Sequence, residues 1–306
     1  MFLSSRGLST RGLVRELNED SGFISPRIVA VADGMGGHVA GEIASRIAIN
    51  VVAQVASQID NNDFDVESEE DLIMSLPQLI DEAIKAELEA NPEYEGMGTT
   101  LSLLFLNKKN EINVLHIGDS RIYQLQEKER KIKQLTVDHT VAQELYEQGR
   151  LSADEIPLHP GHSFLTQVLR GAFEFTPMLE SYEVEAGDRF LLASDGLTNV
   201  LNDNEIYETL VNKDEAALTT LVKLVEKNGA PDNVTIIEAF VVNVDEVGEL
   251  VVRLGSAAVS SIINSEDSSQ GLDEDPSPAK SDVKKSKKVK KDSASPRKKK
   301  DTGSKE

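Results

Sequence analysis

Three apolar segments of this chain each end in an aspartate flanked by glycine: IVAVADG at Asp33, VLHIGDS at Asp119 and FLLASDG at Asp195. A fourth stretch, GAPDNVTII, sets Asp232 in a turn directly before an apolar run. Aspartate is a poor strand residue, and a single Asp-Gly after a strand is most often only a turn. Four of them in one chain are a stronger constraint. If these strand ends meet at one edge of a fold, their carboxylates repel one another and their pKa values rise unless a cation sits between them. The chain has no cysteine, so zinc held by thiolates, cysteine nucleophiles and disulfide staples are all excluded. Oxygen-only ligation suits Mg²⁺ or Mn²⁺, and the neighbouring glycines let backbone carbonyls join the coordination. Two such ions roughly 4 Å apart share a water, lower its pKa and present it as hydroxide, which is a hydrolase chemistry.

Apolar alternation and β-branched residues predict strands at 27–32, 99–106, 112–117, 121–126, 180–185, 189–193 and 234–242. Helical spacing of apolar residues predicts long helices at 39–59 and 70–90, with Pro77 implying a kink or a late start in the second, and shorter ones at 141–148, 204–211 and 214–227. Strands and hairpins interrupted by helix pairs, without a regular βαβ alternation, indicate an α+β fold with largely antiparallel sheets. The segment 245–250 has no assignment on this basis.

Six segments occur in an order that resembles the successive motifs of the PPM family, the type 2C metal-dependent Ser/Thr protein phosphatases of bacterial type. They are RELNED (Arg15 to Asp20), VADGMGGHVAGEIAS, GTTL, HIGDSRIY, LLASDGL and PDNVT, and the resemblance covers residues 1 to about 242. It implies a four-layer αββα sandwich, two antiparallel sheets each flanked by a helix pair, with the metals at one end of the sheets. The implied metal ligands are Asp33 with the backbone of Gly34, Asp195 and Asp232, with Glu19 and Asp20 acting at the same cluster mostly through water. Asp119, with Asp195, would hold a third, weaker ion. Arg15 matches the arginine that grips the substrate phosphate, and its planar fork suits two phosphate oxygens at once. An ordinary solvated ion pair is the alternative role for Arg15. The implied activity is hydrolysis of phosphoserine and phosphothreonine monoesters in proteins by a metal-bridged hydroxide at a binuclear Mn²⁺/Mg²⁺ site, reversing Ser/Thr kinase signalling. The implied partners are phosphorylated proteins and a cognate kinase.

Animal members carry a histidine directly after the metal-binding Asp-Gly, where this chain has Met35, so the general acid is unassigned. His38 is near, and opening the helix that follows is the simpler role for it. Residues 138–171 resemble the family's flap and its following helix. There Gly161 and His162 follow His159-Pro160, which makes the local charge depend on pH near neutrality. Ser163 has two readings, a helix N-cap or a neighbour of the third metal.

Charge divides the chain. From Pro276 onward 12 Lys/Arg face 4 Asp/Glu, which leaves residues 1–275 at −29 against a total of −21. The expected organisation is a catalytic domain at 1–254 and a disordered Lys/Ser-rich tail at 255–306, since KKSKKVKKDSASPRKKK cannot bury enough apolar area to offset ordering. Such a tail suits nucleic acid, an anionic surface or an acidic partner, resembles a nuclear localisation signal, and equally suits plain solvation. Ser277 and Ser295 precede prolines and invite phosphorylation. The N-terminus lacks the apolar core of a signal peptide, and no run approaches the roughly 20 apolar residues of a membrane span. The expectation is a soluble, cytoplasmic monomer. The competing reading is a catalytically silent, phosphatase-like binding module acting through its tail.

Overall fold

The structure, a computed structural model, describes residues 1–36, 40–211, 214–244 and 251–258. In chain order its strands are β1 (Phe2–Thr10), β2 (Ser21–Ile24), β3 (Ile28–Ala32), β4 (Gly34–Met35), β5 (Gly98–Thr99), β6 (Leu101–Leu106), β7 (Glu111–Ile117), β8 (Arg121–Gln126), β9 (Lys131–Gln134), β10 (Leu179–Glu183), β11 (Arg189–Ala193), β12 (Val234–Val242) and β13 (Val252–Gly255). The helices are α1 (Ala40–Asn61), α2 (Val66–Ala90), α3 (Val141–Glu147), α4 (Asp195–Thr198), α5 (Asp203–Leu210) and α6 (Ala217–Lys227).

Two antiparallel sheets organise the chain, one in the order β1-β12-β11-β8-β9 and the other β10-β7-β6-β3-β2-β13. Strand β3 explains the layering. Its five residues are all buried, because successive side chains face opposite sides of the sheet. Ile28, Ala30 and Ala32 join α1 and α2 in one core, with Ile49 and Ile80 among the helix residues. Val29 and Val31 face the other way and meet Ile237, Ala239, Phe190 and Leu192 of the second sheet. A third core lies between that second sheet and α5 and α6, where Tyr123, Leu191 and Ile236 pack on Tyr207 and Leu221. Three apolar layers between four layers of elements make the αββα sandwich. Buried charges tie the layers: Arg27 grips the fully buried Glu69 of α2 through two hydrogen bonds of 2.9 and 2.6 Å, and the buried Arg189 pairs with Glu238 of the neighbouring strand at 2.5 Å while donating to the Leu210 carbonyl of α5 at 2.8 Å.

The structure departs from the sequence expectations in physical ways. Helix α2 starts before residue 70, because Asp65 caps it by accepting the Ser68 N–H at 2.8 Å, and it runs through Pro77, which is buried within it. The proline denies Ile73 its usual N–H partner, a loss the surrounding apolar packing outweighs. Strands β1, β2, β9 and β13 were not expected. FLSSRGLST and KIKQ lie at sheet edges and mix polar with apolar residues, while SGFI is only four residues long. The chain stays packed past residue 254: Gly255 pairs with Ser21, and Ser256 and Ala257 are buried. The segment 245–250, His38 and the basic tail lie outside the described residues. Among the described residues no helix is long and apolar enough to cross a membrane.

Candidate metal centre

The strand-end aspartates do converge. Arg15, Glu19, Asp33, Gly34, Asp119, Asp195 and Asp232 line one cavity of about 300 Å³ at the end of the sandwich. Asp20 is not in its wall but buried behind it, where its Oδ2 accepts the Ser194 hydroxyl at 2.7 Å.

Each carboxylate is held by its own local device. Asp33 follows β3, and the GTTL segment clasps its backbone: its N–H donates to Thr100 Oγ1 at 2.9 Å, while its carbonyl accepts the Thr100 N–H at 2.9 Å and the Thr99 hydroxyl at 3.0 Å. Gly34 pairs with Thr99 in the β4–β5 ribbon, and a Cβ there would lie 2.1 Å from the Gly41 carbonyl oxygen and 2.5 Å from that of Glu19. Only glycine fits such a crossing. Asp119 sits in the turn after β7, whose Gly118 takes φ +110° and donates its N–H to His139 Nδ1 at 3.0 Å. His139 in turn stacks on the buried His116 with ring centroids 4.9 Å apart. Burial pushes His116 down to about 3 and lowers His139 as well, which favours the neutral form of both rings. Asp195 opens α4 directly after β11, and Asp232 precedes β12.

Asn233 is the joint of the site. Its Oδ1 accepts the Glu19 N–H at 2.8 Å, and its Nδ2 donates to the Arg11 and Leu17 carbonyls at 3.0 and 2.8 Å. One buried side chain thus binds the loop that carries Arg15 and Glu19 to the strand that carries Asp232. Arg15 donates to Asp232 Oδ2 at 2.7 Å, and its side chain is 48% exposed at the mouth of the cavity. Within PDNVT the family resemblance gives a role to Asp232 and none to Asn233. Its signal was there, since an amide beside a predicted ligand, at the start of a strand, has donors and an acceptor to spend on neighbouring loops. His139, Ser194 and Thr100 were likewise not singled out.

The electrostatics are those of an uncompensated anion cluster. Burial is the main cause in every case, reinforced by neighbouring carboxylates: Asp119 is pushed up to about 8 and Asp20 to about 7, and Asp33, Asp195 and Glu19 are also raised. Among the described residues Arg15 is the one cation in the cavity wall. Glu19 Oε1 and Asp20 Oδ1 are buried with no hydrogen-bond donor among the described residues. Buried, donor-less carboxylate oxygens around a small polar cavity fit hard divalent cations. Among the described residues no three His, Cys, Asp or Glu side chains close into a cage on their own, so the Gly34 carbonyl and water would have to complete any coordination shell.

Two further placements bear on the site. Ser163 lines the cavity with Leu165 and is followed by no helix, which removes the N-cap reading; the flap region contains α3 and a short 3₁₀ turn at Ala153–Leu158, with no helix after it. An adjoining cavity of about 860 Å³ shares Asp119 and Asp195 and runs under α3 and that turn, past Arg121, Tyr146 and His162.

The sequence model of the family described as Protein phosphatase 2C matches residues 18–234. The chain belongs to the protein phosphatase 2C family. It is 39% identical over 241 residues to the serine/threonine protein phosphatase PstP of Mycobacterium tuberculosis, covering 78% of this chain and 45% of that protein. It is also 36% identical to the protein phosphatase PhpP of Streptococcus pneumoniae, covering 68% of this chain and 83% of that protein. The chain therefore spans about half the length of the PstP proteins it matches and most of PhpP. A crystal structure of the PstP catalytic domain in complex with two manganese ions superposes on this phosphatase 2C chain with a TM-score of 0.69 at 36% identity, covering 79% of this chain and 99% of that one. The four-layer sandwich is thus a phosphatase 2C architecture.

Proposed function

We propose that this chain hydrolyses phosphoserine and phosphothreonine monoesters in proteins, opposing a cognate Ser/Thr kinase and acting as a monomer. The observation that carries the reading is the cavity itself, lined among the described residues by five carboxylates and a single arginine, at the sheet ends of a phosphatase 2C fold. Asp33, the Gly34 carbonyl, Asp195 and Asp232 would hold two divalent ions, Mn²⁺ or Mg²⁺, with Glu19 and Asp20 acting through water and Asp119 joining Asp195 at a third, weaker site. When bound, the ions supply Lewis acidity and an activated water.

The protein's own groups do the rest. Asp33 is fixed by three hydrogen bonds from its backbone to Thr99 and Thr100, so its carboxylate is aimed before any ligand arrives. Arg15 stands half-exposed at the mouth and uses one bond to Asp232, leaving other donors of its planar fork for phosphate oxygens. Among the described side chains of this acidic wall Arg15 is the one that attracts a phosphate dianion, so it orients the ester and neutralises charge on its equatorial oxygens. We assign catalysis to the body through Ala257 and leave the basic tail outside it.

Phosphate release from phosphothreonine, phosphoserine and phosphotyrosine peptides tests the substrate class. The reading predicts turnover of the first two and at least about tenfold loss of kcat/KM in Arg15→Lys, since a point charge replaces a bidentate fork. Equal turnover of phosphotyrosine, or an unaffected Arg15→Lys, contradicts it.

A further inference from the structure

Helix α2 carries a fully buried aspartate that the chemistry above does not use. Asp81 is 0% exposed, and its two oxygens accept three main-chain N–H groups: Arg170 and Gly171 at 2.7 Å each on Oδ1, and Phe173 at 2.6 Å on Oδ2. The turn it holds is an unusual one. Gly171 has φ +80° and crosses the helix so closely that a Cβ would lie 3.0 Å from Lys85 Cα, and Phe173 has φ 56°, left-handed for a residue with a side chain. Such backbone persists only where its surroundings over-determine it, and the Asp81 carboxylate supplies that constraint.

What the turn is attached to gives the arrangement its meaning. Immediately before it, Leu169 exchanges both backbone hydrogen bonds with Thr99, at 2.9 and 3.0 Å. Thr99 is the residue that pairs with Gly34 and donates its hydroxyl to the Asp33 carbonyl. A few residues further back, Leu165 bridges Thr140, and Ser163 and Leu165 form part of the cavity wall. One continuous segment, 163–173, therefore runs from the wall of the metal cavity, past the strand that clasps Asp33 and Gly34, to a carboxylate in the middle of a distant helix.

We infer that Asp81 is a positioning residue for the metal centre: by pinning the 170–173 turn to α2 it sets the position of Leu169, hence of Thr99, hence of the Asp33–Gly34 ligand pair and the Ser163 wall. The inference rests on the metal-centre reading above. A carboxylate is the group the geometry requires, since one oxygen must accept two N–H donors and the other a third. An amide of the same shape turns an NH₂ toward one of them, which opposes donor to donor.

The test is Asp81→Asn, compared with Ile84→Val, which trims the same helix at a buried apolar residue that can make no hydrogen bond to the turn. Mn²⁺ binding is read by calorimetry on chelator-stripped full-length protein, and amide hydrogen exchange is read at Leu169 and Thr99. Asp81→Asn is expected to weaken Mn²⁺ binding about tenfold and to speed exchange at both amides, the size of effect seen when groups outside the ligand shell stop orienting it. Ile84→Val should lower the melting temperature and leave both readouts unchanged. Mn²⁺ affinity of Asp81→Asn within about twofold of wild type, or no weaker than that of Ile84→Val, overturns the role. Wild-type protein that binds no Mn²⁺ overturns instead the metal-centre reading beneath it. In that event unchanged exchange in Asp81→Asn would overturn the pinning as well.

Discussion

Asn233→Ala removes the joint between the Arg15–Glu19 loop and β12, and its cost can be worked from the contacts. The side chain is 4% exposed and makes three hydrogen bonds to main-chain groups of Arg11, Leu17 and Glu19. At about 1 kcal/mol per bond, the loss is about 3 kcal/mol, more where a main-chain group is left buried without water. For a domain of this size, 1 kcal/mol moves the melting temperature by roughly 2–4 °C, so the variant should melt about 6–12 °C lower. The kinetic consequence is separate. Arg15 and Glu19 lose their fixed distance from Asp232, so the phosphopeptide KM should rise as well as kcat fall. Asn233→Asp keeps the acceptor for Glu19 but sets a carboxylate oxygen against the Arg11 and Leu17 carbonyls beside an acidic cluster, so it should be no more stable than Asn233→Ala. Thermal unfolding followed by circular dichroism, with phosphate-release kinetics below the transition, reads both effects. A melting temperature within about 2 °C of wild type, together with an unchanged KM, would refute the reasoning, because the three bonds would then carry neither stability nor geometry.

Other consequences follow from the same geometry. Asp119 and Asp20 have folded-state values of about 8 and about 7 against an ordinary 3.8, so the metal-free fold binds more protons than the unfolded chain between those limits and loses stability as pH rises through them. Chelator-stripped protein should accordingly melt higher at pH 5 than at pH 8, and added Mn²⁺ should erase most of the difference; a melting temperature that rises with pH in the stripped protein speaks against it. Gly34→Ala drives a Cβ to 2.1 Å from the Gly41 carbonyl oxygen, and calorimetry should find Mn²⁺ binding weakened by at least about tenfold. Truncation divides sharply at the end of the body. Ser256 donates its N–H to the Asp20 carbonyl at 2.9 Å and its hydroxyl to the Asn18 carbonyl at 2.5 Å, so a chain ending at residue 258 should hydrolyse a phosphopeptide at the wild-type rate, while one ending at 255 should be slower and less stable.

The parts of this structure that could be read from residues alone are those where one local cause dominates. An apolar run that stops at Asp-Gly is a strand end whatever surrounds it, and β3, β7 and β11 all lie where that pattern put them. The amphipathic faces of α1, α5 and α6 were legible for the same reason. What escaped depends on partners far along the chain. Strand β1 is polar and exists because β12 offers it nine paired positions. Strand β13 exists because Gly22 and Phe23 leave an edge to fill. Asp81 falls by its spacing from Ile73 and Ile84 on the apolar stripe of its helix, where the sequence shows no partner for a carboxylate. Its burial depends on a turn ninety residues later in the chain, and nothing near it in sequence announces that turn. Ser163 misled for the converse reason: a serine after His-Pro-Gly-His has the form of a cap, and only the path of 163–169 along the cavity and β5 shows that no helix follows.

The most direct test of the account is phosphate release from a phosphothreonine peptide by chelator-stripped protein, with Mn²⁺ or Mg²⁺ restored and Asp33→Ala measured beside it. Release that requires the metal and vanishes in a folded Asp33→Ala is the predicted result. No release under either metal from protein with a native melting transition, or metal-independent release that Asp33→Ala retains, would contradict the claim that the converging carboxylates form a phosphatase centre.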